Sequence, residues 1–154
     1  MLLLERKLTL YPRHTKTTLV FTIPLQQPLC QLEIDTHYEP KYLTDPCKLV
    51  QMTQEGAKKW GLPLQSTPLN PEDCPEICNM ITVSLDVNGK FCGYAHRHDP
   101  DMRIVITPQS ASLGFYPMRL DPGTLRLMLP VCMVATEQVQ YYLRVTGIPE
   151  GENR

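Results

Sequence analysis

Cysteine and histidine side chains that could bind a metal are concentrated in one stretch of the sequence, residues 74–98. Thiolate sulfur and imidazole nitrogen are the ligands that zinc usually takes in structural sites, four at a time. The spacing Cys-x3-Cys suits such a site, although Cys-x2-Cys would be a more specific signal. The sequence therefore allows a structural zinc that would pin a long loop to a sheet, with four candidate ligands: Cys74, Cys78, His96 and His98.

An Asn-Gly dipeptide at positions 88 and 89 determines where these side chains would lie. Alternating apolar residues on both sides of it predict a β-hairpin with a two-residue type I′ turn, in which Val87 pairs with Lys90. The pairs beyond the turn would be Leu85 with Cys92, Val83 with Tyr94, and Ile81 with His96. Cys92 and His96 would then lie about 13 Å apart along one strand, which excludes Cys92 from a shared metal site.

Two other interpretations of the same stretch need no metal. In the one that we favour, the stretch is an ordinary hairpin, Cys74 and Cys78 are loop thiols, and the two histidines lie at the surface. In the other, Cys74 and Cys78 form a strained disulfide across a short loop, which would make the segment sensitive to redox conditions.

Cys47 is the basis of a further alternative, a thiol-dependent enzyme. A Cys–His hydrolase needs a thiolate that is stabilised by a neighbouring base or a helix N-terminus. Cys47 lies in the first turn of a predicted helix, and His37 is near in sequence, with Asp35 and Glu39 available to orient it. The sequence has no nucleophile-elbow motif to accompany them. We therefore expect Cys47 to be a helix-packing residue.

The six cysteines are an even number and would allow three disulfides. However, Cys30, Cys92 and Cys132 lie in strand-like apolar runs, where a reduced thiol behaves as a small hydrophobic side chain. A chain of 154 residues can also stabilise a core without covalent cross-links. The sequence shows neither a secretory signal nor an N-glycosylation site, so we expect reduced thiols in the cytoplasm.

One short helix is predicted near residues 45–60, followed by a Pro-rich loop. Thr44 or Asp45 is suited to cap this helix, Pro46 to begin it, and Gly61 to end it. We expect the helix to cover one end of a β core rather than to bind a partner. Residues 62–76 contain four prolines and no periodicity, which is typical of an extended surface loop.

Alternation of apolar and polar residues predicts short strands along the rest of the chain. Two late segments alternate well, and their predicted core-facing residues are Leu125, Leu127, Leu129, Val139, Tyr141, Leu143 and Val145. Pro130 predicts an edge position or a bulge in the first of them. Turn signals about every 8–12 residues favour a mainly antiparallel all-β fold. We expect a β-sandwich or small barrel of about eight strands that forms a single domain, residues 1–154.

Charge and motif content argue against several classes of function. The net charge is −1 and the basic residues are scattered, which is not the pattern of a nucleic-acid-binding protein. No apolar run is long enough to span a membrane. The sequence contains no Gly-rich phosphate loop, no dinucleotide-binding fingerprint and no HExxH motif.

These observations favour a non-enzymatic protein-interaction or adaptor module that binds partner proteins through its Pro-rich loop and an exposed strand edge. The loop residues that we expect to contact a partner are Pro63, Pro68, Pro71 and Glu72. The alternatives are a zinc-stabilised or thiol-dependent enzyme, and a carrier that holds a small molecule or lipid between its sheets.

Overall fold

The computed structural model describes residues 1–62, 69–96 and 98–151. Within these ranges the chain forms nine β-strands, one α-helix and two short 3₁₀ turns. In chain order they are β1 (Leu2–Leu10), the 3₁₀ turn Pro12–His14, β2 (Thr17–Leu25), β3 (Leu29–Glu39), α1 (Pro46–Lys59), the 3₁₀ turn Pro71–Asp73, β4 (Met80–Ile81), β5 (Val83–Val87), β6 (Lys90–Ala95), β7 (Asp101–Ile106), β8 (Gly123–Met133) and β9 (Val139–Pro149).

The strands form two antiparallel sheets that face each other. One sheet has the order β1-β9-β3-β7, and the other has the order β2-β8-β5-β6, with β4 also paired to β8. The chain therefore crosses from one sheet to the other at most of its connections. The strand orders of the two sheets are those of a jelly roll. The predicted all-β sandwich with one helix is confirmed.

The core between the two sheets follows from the alternation in the sequence. All the side chains that β8 and β9 were expected to direct inward are at most 1% exposed: Leu125, Leu127, Leu129, Val139, Tyr141, Leu143 and Val145. Each buried aliphatic side chain of this size contributes about 1.5–3 kcal/mol relative to an exposed one. The late strands therefore supply a large part of the stability of the sandwich.

Pro130 lies in the interior of its sheet, so the predicted edge position is wrong, whereas a register shift between β8 and β4 does occur close by, between Val131 and Met133. It pairs with Thr18 of β2 on one side and faces Thr82 on the other. Because proline has no N–H to donate, the ladder on the second side is interrupted, and Thr82 separates β4 from β5. The Pro130 carbonyl still accepts a hydrogen bond from the backbone N–H of Thr82 (3.0 Å). The break is thus in the neighbouring strand, and β8 continues.

The β5–β6 hairpin turns at Asn88 and Gly89 as predicted, with φ angles of 52° and 75°. Val87 pairs with Lys90, but Cys92 is an extra residue that forms a bulge. The observed pairs beyond the bulge are Leu85 with Gly93, Ser84 with Tyr94, and Val83 with Ala95. The predicted pairs Leu85–Cys92 and Val83–Tyr94 are therefore wrong by one residue, whereas Ile81 belongs to β4 and pairs with Val131 of β8. Both Cys92 and Gly93 are buried.

Helix α1 begins and ends where the sequence predicts. The Asp45 carboxylate accepts hydrogen bonds from the backbone N–H groups of Cys47 (2.9 Å) and Lys48 (3.0 Å), and Gly61 follows the helix with φ of 64°. None of the helix residues is buried, and the helix packs against the 3₁₀ turn Pro71–Asp73. It therefore does not serve as a lid on the core, contrary to the prediction.

No helix within the described ranges combines the length and the hydropathy needed to cross a membrane.

Candidate functional site

The described parts of four connections gather at one end of the sandwich, which we call the loop end: residues 11–16, 40–79 without 63–68, 96–100 without 97, and 134–138. Strand pairing brings them together. Leu10, where β1 ends, lies opposite Val139, where β9 begins. His37, near the end of β3, lies opposite Asp101 at the start of β7. Most of the side chains with candidate chemistry, including Cys47, Cys74, Cys78 and the four histidines, are consequently carried at or near this end.

Asn79 holds the loop end together, and its side chain is fully shielded from solvent. Its Nδ2 donates hydrogen bonds to the Pro40 carbonyl oxygen (2.8 Å) and to the Thr136 hydroxyl oxygen (2.9 Å). Its Oδ1 accepts from the backbone N–H groups of Ala135 (2.7 Å) and Thr136 (3.3 Å). These four bonds join both ends of the 40–79 connection to the 134–138 connection.

Tyr38 extends this network toward the core. Its hydroxyl donates to the backbone carbonyl of Asn79 (3.0 Å) and accepts from Lys41 Nζ (3.0 Å). Its ring stacks on that of Tyr141, with the ring centroids 6.1 Å apart. Burial raises the pKa of the Tyr38 hydroxyl, and the Lys41 ammonium opposes this shift without cancelling it. At neutral pH Tyr38 is therefore an uncharged donor that positions the Asn79 backbone.

Replacing Tyr141 with Phe should leave the free energy of unfolding at pH 7 unchanged or raise it by up to about 1 kcal/mol. The Tyr141 hydroxyl is buried and makes no hydrogen bond of normal geometry with any described residue, although the Thr36 hydroxyl lies near it. Burial raises the pKa of this hydroxyl, so the native state favours the neutral phenol. This preference stabilises the native state fully below about pH 10, the ordinary pKa of the unfolded chain. The stabilisation is lost as the pH rises through the raised pKa of the native state.

Urea unfolding at a series of pH values from neutral to about 11 measures this effect. The Tyr141→Phe variant should lose less stability above about pH 10 than the parent protein. A loss of more than about 2 kcal/mol at pH 7 would instead mean that the hydroxyl makes a stabilising bond.

The structure brings three of the four predicted zinc ligands near one another. Cys78 Sγ lies 3.9 Å from His98 Nδ1, and the ring centroids of His96 and His98 are 6.2 Å apart. His96 Nδ1 is 3.1 Å from the Tyr94 hydroxyl, and the Cys74 thiol donates to the Asn70 carbonyl (3.5 Å). Among the described residues, no three His, Cys, Asp or Glu side chains converge closely enough to hold a metal ion. The four-ligand cluster therefore stays a prediction.

The remaining cysteines lie apart from this group, and all six are free thiols. Cys92 is fully buried, its thiol donates to the Tyr116 carbonyl (3.6 Å), and burial raises its pKa. Cys47 is exposed at the start of α1, which contradicts the expected packing role. His37 contacts Asp101 (Nδ1–Oδ1, 2.6 Å) instead of a thiol, so the structure does not assemble the Cys47–His37 pair.

Two of the residues expected to contact a partner are accessible beside α1. Pro71 and Glu72 are exposed in the 3₁₀ turn that packs against this helix, whereas Pro63 and Pro68 lie outside the described residues. Trp60 and Leu62, directly after the helix, are 75% and 60% exposed. A groove of about 360 Å³ runs between the start of α1 and the 134–138 connection. The largest exposed apolar side chain of the loop end thus lies next to the Pro-rich segment.

Asn79 and its partners were not predicted from the sequence. Asn79 interrupts an apolar run, residues 77–83, that continues into β4 and β5. A polar residue at such a position must find partners once it is buried. That signal would have indicated a buried hydrogen-bonding residue, although not the identity of Pro40 and Thr136 as its partners.

The protein is thus a jelly-roll β-sandwich. The connections at its loop end carry one helix and the contact between the Cys78 thiol and the His98 imidazole. Comparison with known proteins adds no family to this description: the chain matches no protein-family model, and no curated protein is significantly similar to it in sequence.

Proposed function

We propose that this protein is a non-enzymatic interaction module of the cytoplasm that docks a partner protein at the loop end. The exposure of Trp60 carries the proposal, because this side chain directly follows α1 and is 75% exposed, while the apolar residues of the helix, such as Leu49 and Met52, are half-buried. Covering a large apolar side chain is favourable by about 1.5–3 kcal/mol, and tryptophan is enriched among the residues that dominate binding energies. The six free thiols suit a reducing compartment.

Charge near Trp60 indicates the chemistry of the partner. Lys58 and Lys59 precede Trp60, and Lys59 Nζ lies 5.7 Å from the centroid of the indole ring. A partner that covers the indole must also compensate these two ammonium groups, so we expect an acidic segment that carries an apolar side chain. The groove beside the start of α1 offers this partner a second place to insert a side chain.

Capture of a stoichiometric partner by the full chain, followed by titration with that purified partner, tests the proposal. Trp60→Ala should weaken binding by about tenfold or more, a loss of at least about 1.4 kcal/mol. A Lys58→Glu/Lys59→Glu double variant should also weaken it, and replacement of residues 62–73 should abolish it. Phe91→Ala is the matched control, because Phe91 is 57% exposed but lies at the opposite end of the sandwich.

Two results would contradict this function. One is a chain that captures no protein partner, and the other is a partner whose affinity is the same for Trp60→Ala as for the parent protein. The single tryptophan also gives a direct signal, because its fluorescence should shift to shorter wavelength when the partner covers it.

A structural zinc at the loop end is a second candidate, supported by the contact between Cys78 and His98. With His96 and Cys74 as further ligands, the metal would tie residues 74–78 to the segment that follows β6. Protein purified with zinc present should then contain about one zinc per chain, lost in Cys78→Ser and kept in the buried control Cys92→Ser. Zinc-free parent protein from such a preparation would rule this candidate out.

A further inference from the structure

Edge strands expose backbone N–H and C=O groups that can pair with another chain, and natural sheets protect most of them. In this protein β1 is protected by charge. Glu5, Arg6 and Lys7 occupy its middle, and Arg6 lies on the core-facing side, opposite Leu143 of β9. A charged residue that points inward from an edge disfavours the addition of another strand.

The edges at β6 and β7 are protected by other means. Residues 114–116 cover β6, because the Tyr94 N–H donates to the Gly114 carbonyl (2.9 Å) and the Tyr116 N–H donates to the Cys92 carbonyl (2.8 Å). Ser112 covers the late part of β7, where its N–H donates to the Val105 carbonyl (2.9 Å). The early part of β7 carries two charged residues.

Among the described residues, no charge and no covering segment protects β2, and Pro24, near its end, is the residue of this strand that disfavours edge pairing. Its sequence, TTLVFTIPL, contains no charged residue, and within the described residues its only strand partner is β8. Leu19 and Phe21 are half-buried on the core-facing side, whereas Val20 is 54% exposed on the outer face. An uncharged edge rich in β-branched and aromatic residues is well suited to accept another strand.

We propose that β2 pairs with β2 of a second copy of this chain, antiparallel about a two-fold axis at Val20. Residues directly opposite each other in an antiparallel pair lie on the same face of the sheet. In this register Leu19 of each copy lies opposite Phe21 of the other on the core-facing side. On the outer face Thr18 lies opposite Thr22, and the two Val20 side chains meet at the axis.

The strand that pairs with β2 is identified as β2 of a second copy because the sequence of β2 is complementary to itself. The Val20 register pairs residues 17–23 with themselves and leaves Pro24, which cannot donate a hydrogen bond, just outside the ladder. An axis at Phe21 would instead place Thr18 opposite Pro24. A two-fold axis is also the commonest symmetry of protein dimers. The pairing uses an edge and not the loop end, so it is independent of the function proposed above.

Size-exclusion chromatography with light scattering over a series of concentrations tests the pairing on the full chain. The parent protein should be a dimer. Val20→Lys and Val20→Glu should each be monomeric, because like charges would meet at the axis. An equimolar mixture of the two variants should restore the dimer, because Lys then lies opposite Glu. Phe91→Lys is the matched control, with similar exposure but on β6, and should remain a dimer.

A parent protein that is monomeric at every concentration overturns the proposal. So does a dimer that persists in Val20→Lys, or a mixture of folded Val20 variants that stays monomeric. If circular dichroism shows that a Val20 variant is unfolded, Thr18→Lys/Thr22→Glu and Thr18→Lys/Thr22→Lys decide the same question. The first double variant should dimerise and the second should not, and any other result contradicts the Val20 register.

Discussion

The Asn79→Ala variant should lose about 3–5 kcal/mol of unfolding free energy, a large part of the roughly 5–15 kcal/mol that a domain of this kind has in total. The substitution removes four side-chain hydrogen bonds at a site with no solvent access. It leaves the N–H groups of Ala135 and Thr136 and the carbonyl of Pro40 without these partners. A buried polar group without a partner costs about 1–3 kcal/mol, and the cavity adds to that loss.

Urea or thermal unfolding of the purified variant measures this loss. Asn70→Ala is the matched control, because Asn70 is exposed and, among the described residues, its side chain bonds only to Asp73 (3.2 Å). We therefore expect a change within about 0.5 kcal/mol. Asn79→Asp keeps the shape but replaces two N–H donors with an acceptor and should also be destabilised. A loss below about 1 kcal/mol in Asn79→Ala would show that the network does not hold the loop end.

Gly93→Ala should destabilise the protein by about 3 kcal/mol or more, because the added methyl group has no room. A Cβ at this position would lie 2.5 Å from Phe115 Cα and would also meet the Gly114 carbonyl oxygen, both of which are backbone atoms. The φ angle of 149° adds strain for any residue with a side chain. The clash could be relieved only if residues 114–116 moved away from the β6 edge. That movement would break their hydrogen bonds to Cys92 and Tyr94.

Two other glycines provide controls that separate crowding from conformation. Gly89 has φ of 75° and open space around it, so Gly89→Ala should cost only about 1–2 kcal/mol of backbone strain. Gly56 lies in α1 with open space and no positive φ, so Gly56→Ala should stabilise the protein by about 0.5–1 kcal/mol. Chemical unfolding should therefore rank the stabilities as Gly56→Ala, parent, Gly89→Ala, then Gly93→Ala. A Gly93→Ala variant as stable as Gly89→Ala would contradict the close approach.

Local chemistry predicted much of the fold. The alternation of side chains along β8 and β9 depends only on the two-residue period of a strand, so the inward-facing residues could be identified correctly. The limits of α1 depend on Asp45, Pro46 and Gly61, which act within one turn of the helix. The Asn-Gly turn is equally local, and it forms where the sequence places it.

What the sequence could not predict depends on contacts between distant residues. The bulge at Cys92 accompanies the packing of Gly93 against Phe115, and no pattern within the hairpin reveals that neighbour. Asn79 reaches Pro40 and Thr136 across 39 and 57 residues of sequence. The hairpin register used to place the candidate metal ligands was off by one residue for the same reason, and Cys78 and His98 lie in contact.

The way in which α1 is attached has a consequence for how such a protein can diversify. Asn79 clamps both ends of the 40–79 connection, and the helix between them adds no residue to the hydrophobic core. The sandwich and α1 are thus nearly independent of each other in their contributions to stability. A foreign segment grafted in place of residues 46–73 would therefore be held at the same two ends, and the sandwich would tolerate it without changes to its core.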